Sequence, residues 1–249
     1  MIRGLYIAAT GMLSQQRRMD VVTNNLANAD TVGFKEDQLL TRSFDDMMIE
    51  RLNDPSVIGR SAPLGPLSPG IHVDQVATRH GGGPLEETNL STDLAILGDG
   101  YFVVNTPDGE RYTRSGQFAV SADGFLITAE GHQVQGTAGP VFVGGSQFTV
   151  SPDGRVQSPF GLTGLQLVNF ENTDGLRKEG SNLYSNFDAG AQAAAEAQVR
   201  QGFLEGSNVD LTRQVTQMIE IQRSHEINQR VIKMMDERLG KAVNDIGRL

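Results

Sequence analysis

Cysteine is absent from this sequence of 249 residues. Its absence excludes disulfide bonds, thiolate zinc sites and thiol nucleophiles. Long apolar runs are also missing, whereas a transmembrane helix needs roughly 18 or more consecutive apolar residues. The apolar stretch Leu5–Ala9 is too short for the hydrophobic region of a signal peptide. We therefore expect a protein that does not span a membrane and does not use a classical secretion signal.

Basic residues are few: Lys and Arg number 21 against 30 Asp and Glu, which gives a net charge of -9. The only basic doublets are Arg17-Arg18 and Arg177-Lys178. Binding to nucleic acid requires clustered Lys and Arg that neutralise phosphates. The charge balance therefore argues against a nucleic-acid partner.

Motifs for catalysis, metals and cofactors are missing as well. The histidines His72, His80, His132 and His225 have no partner at metal-ligand spacing, and neither HExxH nor GxSxG occurs. The glycine run 81–83 is not followed by the Lys-Ser/Thr of a phosphate-binding loop. We predict no catalytic residue, no metal site, no cofactor and no small-molecule substrate; the protein is not expected to be an enzyme.

A narrow apolar seam at the N-terminus predicts a helix. One heptad position holds Leu5, Met12, Met19 and Leu26, and a second, three residues further on, holds Ala8, Gln15, Val22 and Ala29. Small residues on one side of such a seam allow close helix approach.

The C-terminal segment carries a stronger heptad pattern. One position holds Leu211, Met218, His225, Ile232, Leu239 and Ile246, and the other holds Gln214, Ile221, Asn228, Met235, Ala242 and Leu249. We predict one helix over 211–249, with Ser207 or Asn208 as N-cap and Asp210 in the first turn. Two such helices could form a stalk within one chain. Alternatively, both ends stay frayed until neighbouring copies cover their apolar faces.

The middle of the chain changes to a period of two. Strands are predicted at Ile71–Val76, Tyr101–Val104, Phe125–Thr128 and Leu165–Val168. Five Asp-Gly pairs supply turns, at Asp99, Asp108, Asp123, Asp153 and Asp174. The segments QFAVSADG (117–124) and QFTVSPDG (147–154) repeat the same strand-to-turn pattern.

These patterns predict a mainly β central domain between long N- and C-terminal α-helices that pair as a coiled coil. The predicted layout comprises an N-terminal helix with an asparagine-rich corner (1–52), a Pro-rich joint (53–70), a β-rich domain (71–188), an Ala-rich joint (189–206) and a C-terminal assembly helix (207–249).

Three segments suggest a family. The N-terminal NNLANADTVGFK, the central DLAILGDGYFVV with RYTRSGQF, and the C-terminal LEGSNVDLTRQVTQMIEIQRSHEINQRVI together resemble the signatures of flagellar axial proteins, the rod, hook and hook-associated subunits. The resemblance implies a structural subunit of the basal-body rod in which the paired termini form an inner tube. A hook or hook-associated protein is the alternative within the family, and an extracellular β-domain binding module is the alternative outside it.

The resemblance also implies partners and a location. The partners would be further copies, neighbouring rod and hook proteins and the flagellar type III export apparatus. The location would be the extracytoplasmic basal body, reached without a cleaved signal peptide. Assembly contacts are predicted at Leu5, Met12, Met19, Asn24, Asn25, Leu26, Asn28, Gly33, Phe34, Asn208, Val209, Leu211, Met218, Ile221, Gln222, Ile232, Met235 and Leu239.

The asparagine-rich run TNNLANADTVGFK (23–35) is interpreted as a helix-to-loop corner packed between subunits. Asparagine side chains can bond both their own backbone and a neighbour. Gly33 would allow the chain to reverse, and Phe34 would anchor the turn. A plain capped helix end is the simpler alternative.

Overall fold

A computed structural model describes residues 2–51, 62–180, 182–190, 192–195 and 197–246. The chain divides into two compact units. The helical unit contains Met1–Asn24, Asp37–Ala77 and Thr212–Leu249, and the β unit contains Asn25–Glu36 and Thr78–Leu211. Residues 53–61 of the predicted Pro-rich joint (53–70) and the last heptad residue, Leu249, lie outside the described residues.

The elements assigned to the helical unit include two long helices and two two-stranded sheets. They are α1 (Ile2–Ala27), β1 (Asp37–Ser43), β2 (Met47–Arg51), β3 (Ala62–Leu67), β4 (Ile71–Thr78) and α2 (Leu211–Ile246). β1 pairs with β4, and β2 pairs with β3. The strand predicted at 71–76 is confirmed as β4, whereas β1, β2 and β3 had no predicted counterpart.

Both terminal helices are confirmed, and α2 begins at Leu211 as predicted. Asp210, predicted in the first turn, instead precedes the helix. The Asn208 side chain does not serve as a cap in the predicted way, because its Oδ1 accepts a hydrogen bond from the Glu36 backbone N at 2.7 Å. Its amide instead ties the start of the C-terminal segment to another part of the β unit.

The two helices approach each other at small residues of α1. A Cβ built on Gly4 would lie 2.5 Å from Cε of Met235, and one on Gly11 would lie 3.4 Å from Nδ2 of Asn228. Seven residues separate the contacts on each helix, in opposite chain directions. The helices are therefore antiparallel here, and glycine permits their close approach.

Among the described residues of the β unit there are seventeen strands and one short 3-10 helix. The strands are β5 (Leu85–Glu87), β6 (Leu94–Leu97), β7 (Tyr101–Thr106), β8 (Gly109–Thr113), β9 (Phe118–Val120), β10 (Leu126–Thr128), β11 (Gln133–Gly136), β12 (Gly139–Pro140), β13 (Thr149–Val150), β14 (Arg155–Ser158), β15 (Gly161–Gly164), β16 (Leu167–Phe170), β17 (Leu176–Glu179), β18 (Leu183–Asn186), β19 (Gln192–Ala194), β20 (Gln198–Gln201) and β21 (Phe203–Glu205). The 3-10 helix spans Thr173–Gly175.

The largest sheet has ten strands, and its main path runs β17-β18-β8-β7-β11-β10-β9. β12 joins β11, while β16 joins β7 and β19. A separate three-stranded sheet has the order β13-β14-β15, and two pairs, β20 with β6 and β21 with β5, connect distant parts of the sequence. All the pairings are antiparallel.

In the β unit, strand β7 is buried on both of its faces. Phe102 and Val104 belong to one apolar cluster, and Tyr101 and Val103 belong to another. This alternation follows from the strand geometry, in which successive side chains point to opposite faces. Three of these residues, Phe102, Val103 and Val104, are 0% exposed.

The repeated sequence pattern is confirmed as a repeated turn. In each copy a serine amide donates to a carbonyl four residues on: Ser121 N to Phe125 O at 2.8 Å, and Ser151 N to Arg155 O at 2.9 Å. The following glycines have positive φ, 84° at Gly124 and 75° at Gly154. Glycine tolerates this conformation because it has no Cβ.

The structure differs from the predicted layout around the joints. Within the predicted Pro-rich joint, residues 62–67 form β3 and pair with β2. The predicted Ala-rich joint instead contributes β19, β20 and β21 to the β unit. The pairing partners of β20 and β21 lie more than 100 residues away in the sequence, so no local pattern indicated these two strands.

Candidate functional site: the helix faces and the asparagine-rich corner

The predicted seam residues share a half-buried face of each helix. On α1 the four positions of the first heptad series are half-buried, and on α2 the same holds for most positions. The half-buried predicted residues are Leu5, Met12, Met19, Leu26, Met218, Ile232, Met235 and Leu239. Ile221 is buried at 3% exposure, whereas Leu211 is 49% exposed and Gln222 is exposed.

Apolar side chains also occur on the exposed faces of the helices. Leu13 on α1 is 58% exposed. Those on α2 are Val215, Ile219, Ile227, Met234 and Val243, all at 45% exposure or more. Helices with this distribution are not fully covered within the described part of the chain.

The asparagines of the corner have different environments. Asn24 is exposed, Asn25 is 1% exposed, and Asn28 is half-buried. The Thr31 hydroxyl donates to Asn28 Oδ1 at 3.2 Å, and the Asn28 backbone N donates to Asn25 O at 3.2 Å. The corner therefore forms local hydrogen bonds of the kind expected for asparagine at a helix end.

Gly33 and Phe34 are buried inside the β unit of the same chain. Gly33 has φ 70°, and a Cβ there would collide with the Ser115 backbone N. Its amide donates to the Glu205 carbonyl at 2.8 Å. Phe34 is 1% exposed, and Lys178 Nζ lies 3.6 Å from its ring centroid. Both residues thus anchor the corner within one chain.

Asn208 lies in the C-terminal segment between β21 and α2 (206–210), and it joins this segment to a loop that precedes β5. Its Nδ2 donates to Arg79 O at 2.8 Å and to Gly81 O at 3.0 Å. We call residues 79–83 the strap. Arg79 N donates to Glu36 O at 2.8 Å, and its guanidinium pairs with the Glu36 carboxylate at 3.1 Å. The strap therefore contacts both the corner and the C-terminal segment. Val209, the next predicted residue, is half-buried.

Beneath the strap lies a group of buried charges that the sequence analysis missed. Glu205 Oε1 accepts from Lys35 Nζ at 2.5 Å, and its Oε2 accepts from Arg114 Nη1 at 3.2 Å. The three side chains are 0% (Lys35), 4% (Arg114) and 3% (Glu205) exposed. We call Lys35, Arg114 and Glu205 the ionic cluster.

Backbone groups add further hydrogen bonds to the ionic cluster. Lys35 Nζ donates to Gly81 O at 2.9 Å, and Gly83 N donates to Glu205 Oε1 at 2.9 Å. Arg114 Nη2 donates to Gly98 O at 2.6 Å. Buried charges are tolerated when they are paired and hydrogen-bonded in this way.

Burial lowers the pKa of Lys35 below its ordinary value, and the positive charge of Arg114 acts in the same direction. The Glu205 carboxylate opposes the shift by charge and by its hydrogen bond. A second buried group lies close by: burial raises the pKa of Tyr101, whose hydroxyl lies 2.7 Å from His80 Nδ1 in the strap. The Arg114 guanidinium is 5.5 Å from the Tyr101 ring centroid.

Each of the three segments that suggested the family contributes one member of the ionic cluster. Lys35 ends NNLANADTVGFK, Arg114 lies in RYTRSGQF, and Glu205 lies in LEGSN. Singly, a Lys, an Arg and a Glu look like ordinary surface residues. The sequence signal that could have indicated the ionic cluster was that each of the three family segments contains one of its charged residues.

Among the described residues, no group of three or more His, Asp or Glu side chains is arranged to hold a metal ion. None of the helices in that part of the chain has both the length and the hydropathy required to cross a membrane.

Three family models match the chain in order. Residues 5–35 match "Flagella basal body rod protein", residues 95–158 match "Flagellar hook protein FlgE/F/G D1 domain", and residues 200–245 match "Flagellar basal body rod FlgEFG protein C-terminal". The first match ends at Lys35, the second includes Arg114, and the third includes Glu205.

Similarity to curated proteins extends over nearly the whole chain. The flagellar basal-body rod protein FlgG of Bacillus subtilis is 36% identical, over 98% of this chain and 99% of its own. The flagellar hook-basal body complex protein FlhO of the same organism is 34% identical, over 100% of both chains. The flagellar basal-body rod protein FlgF of Caulobacter vibrioides is 34% identical, over 97% of this chain and 99% of its own.

Proposed function

The chain belongs to the flagellar basal-body rod protein family, and on that premise we propose that it is a structural subunit of the rod. The observation that carries the proposal is the ordered match of three family models along the chain, together with relatives that match nearly its whole length. In this proposal the subunit polymerises into a helical tube that transmits torque from motor to hook and encloses the export channel.

The helices are the proposed assembly elements. We propose that α1 and α2 pair as a coiled coil and that neighbouring subunits cover the remaining apolar positions. The approach at Gly4 and Gly11 supports the pairing, and the exposed Ile219, Ile227 and Met234 support the contacts with neighbours. A helix with an apolar face gains most of its stability from such packing.

The family determines the proposed partners and location. Further copies and other rod and hook proteins are the expected partners, at the flagellar basal body. Export through the flagellar type III apparatus, without a cleaved signal peptide, is part of the same proposal. The ends would be unpacked during export and would order on assembly.

We also propose a role for the corner in assembly. Its buried residues, Gly33 and Phe34, would act indirectly, by holding the corner in place. Phe34 and Gly33 hold the corner on the β unit, while Asn24 remains exposed beside it. We propose that Asn25 and Asn28 stabilise the shape of the corner, and that the corner in this shape presents its exposed polar groups to a neighbouring subunit. A hook or hook-associated role is less supported, because two of the three similar proteins described above are named as rod proteins.

The test is complementation of a strain that lacks its own copy of this gene. The wild-type chain is expected to restore motility and complete rods, counted by electron microscopy of isolated basal bodies. The Asn25→Ala/Asn28→Ala variant should be exported and have a folded β unit but give fewer rods. Rods at wild-type numbers in that variant would remove the assembly role of the corner.

A matched control replaces asparagines outside the corner. Asn105 in β7 and Asn169 in β16 lie in the β unit, and an Asn105→Ala/Asn169→Ala variant should assemble normally. Failure of the wild-type chain to restore rods would contradict the proposed function itself.

A further inference from the structure

We propose that Lys35, Arg114 and Glu205 are positioning residues that hold the two segments by which the chain leaves the β unit, and that rod assembly depends on this hold. Only the dependence of rod assembly on this hold rests on the proposed function. The hold on the two segments concerns the single chain and is tested separately.

The ionic cluster joins three parts of the sequence at one point. Lys35 follows the helix α1 and its corner, Glu205 ends β21 just before α2, and Arg114 follows β8. The Lys35–Glu205 bond spans 170 residues of sequence, and the Arg114–Glu205 bond spans 91. The segment that follows α1 and the segment that precedes α2 are therefore connected to each other within the β unit.

Glu205 is the central member because it is the anion between two cations. Its carboxylate accepts hydrogen bonds from Lys35, Arg114 and the Gly83 amide. Removing it leaves two buried positive charges facing each other, which is the costly way of breaking a buried ion pair. Because these two charges repel each other, we expect the corner and the segment before α2 to open together.

Direct contact with a neighbour is not the means by which these residues act, since all three side chains are at most 4% exposed. They act through what they hold. Lys35 also supports the corner through its backbone O, which accepts from Lys178 Nζ at 2.9 Å. The Asn208 bonds to the strap and to Glu36 N complete the connection on the C-terminal side.

The charge count predicts an unusual result for a double variant. The wild-type ionic cluster has two positive charges and one negative charge. Glu205→Gln leaves two positive charges, and Lys35→Met/Glu205→Gln leaves one. The double variant should therefore hold the corner better than Glu205→Gln alone. Simple loss of packing would make two substitutions worse than one.

The experiment is amide hydrogen exchange on the purified full-length wild type, Glu205→Gln and Lys35→Met/Glu205→Gln. In Glu205→Gln, exchange in 30–36 and 203–209 should be roughly a hundredfold faster, with β7 and β8 still protected. The double variant should recover part of the protection. The matched control is Glu179→Gln, whose carboxylate forms an exposed ion pair with Arg111 at 2.7 Å and should leave both segments unchanged.

Several results would overturn the proposal. Wild-type exchange in Glu205→Gln would show that the ionic cluster holds nothing. If Glu205→Gln unfolds completely, the double variant decides: complete unfolding there too would make the ionic cluster an ordinary part of the core. An opened corner with normal rod numbers in complemented cells would overturn the assembly role.

Failure of the proposed function has a different signature. In that case the exchange results would follow the prediction, but the wild-type chain itself would not restore rods. The hold on the two segments would then stand without its role in the rod.

Discussion

The β unit and the helical unit bury side chains of different kinds. In the β unit, large apolar residues such as Phe102, Leu126 and Tyr184 are 0% exposed. Among the described residues of the helical unit, the buried non-glycine side chains are Ala8, Ser14, Val22, Gln214 and Ile221. The β unit has the core of an independently stable domain, whereas the helical unit has a thin one with small and polar members. The difference indicates that the first can fold alone and that the second gains from further packing.

The largest effect is expected from a cavity in the β core. Phe102 stacks edge-on against Phe118, with 5.1 Å between ring centroids. Phe102→Ala should lower the free energy of unfolding of the β unit by about 3–5 kcal/mol. Urea unfolding followed by tyrosine fluorescence measures it, because three of the four tyrosines, Tyr101, Tyr112 and Tyr184, lie in this unit. An unchanged midpoint would mean that the apolar cluster is not the stabilising core.

A smaller effect is expected where the corner meets the β unit. Gly33→Ala introduces both a positive-φ alanine, costing about 1–2 kcal/mol, and an overlap with Ser115 that adds to it. Gly131→Ala is the matched control, since Gly131 has φ 87° and nothing lies within 4 Å of its built Cβ. Gly33→Ala should lower the urea midpoint more than Gly131→Ala does. Equal losses would mean that only the backbone conformation matters.

A substitution in the helical unit is expected to leave the stability of the β unit almost unchanged. Ile221→Ala should speed amide exchange in α2 but change the free energy of unfolding of the β unit by less than about 0.5 kcal/mol, as expected if the two units unfold independently. Exchange and urea unfolding on the same sample measure both. A large fall in the β-unit midpoint would break the comparison, because the two units would then unfold together.

The smallest effect concerns a surface ion pair of the β unit. The hydrogen bond from Arg111 holds the pKa of Glu179 below its ordinary value of 4.5. Because the folded pKa is the lower one, this contribution to stability is fully present above pH 4.5 and is lost as the pH falls through the folded value. Glu179→Gln should remove that small acid dependence and little else, as expected for an exposed pair. Urea midpoints at neutral and acid pH measure it, and an unchanged acid dependence would contradict the assignment.

The sequence was sufficient for features that depend on local spacing. Heptads gave α2 from Leu211, and the Asp-Gly pairs gave the turns at Gly124 and Gly154, because helix period and turn conformation are properties of neighbouring residues. Positions of several strands followed from alternation for the same reason.

Features that depend on distant residues were not predictable in this way. The pairing of β20 with β6 joins Val199 to Ile96, and the ionic cluster joins Lys35 to Glu205. Neither has a periodic signal, since each partner alone fits many environments. Asn208 was expected as a helix cap, but its amide bonds to the strap across more than 120 residues of sequence.

The pairing of β21 with β5 brings the two ends of the segment 85–205 together. Phe203 lies opposite Glu87, so these ends are on neighbouring strands, about 5 Å apart. Insertions are tolerated best in segments whose ends lie close together. Loops of this segment that do not contact the corner could therefore be lengthened while the ionic cluster stays unchanged, which would give subunits with larger β units on the same terminal helices.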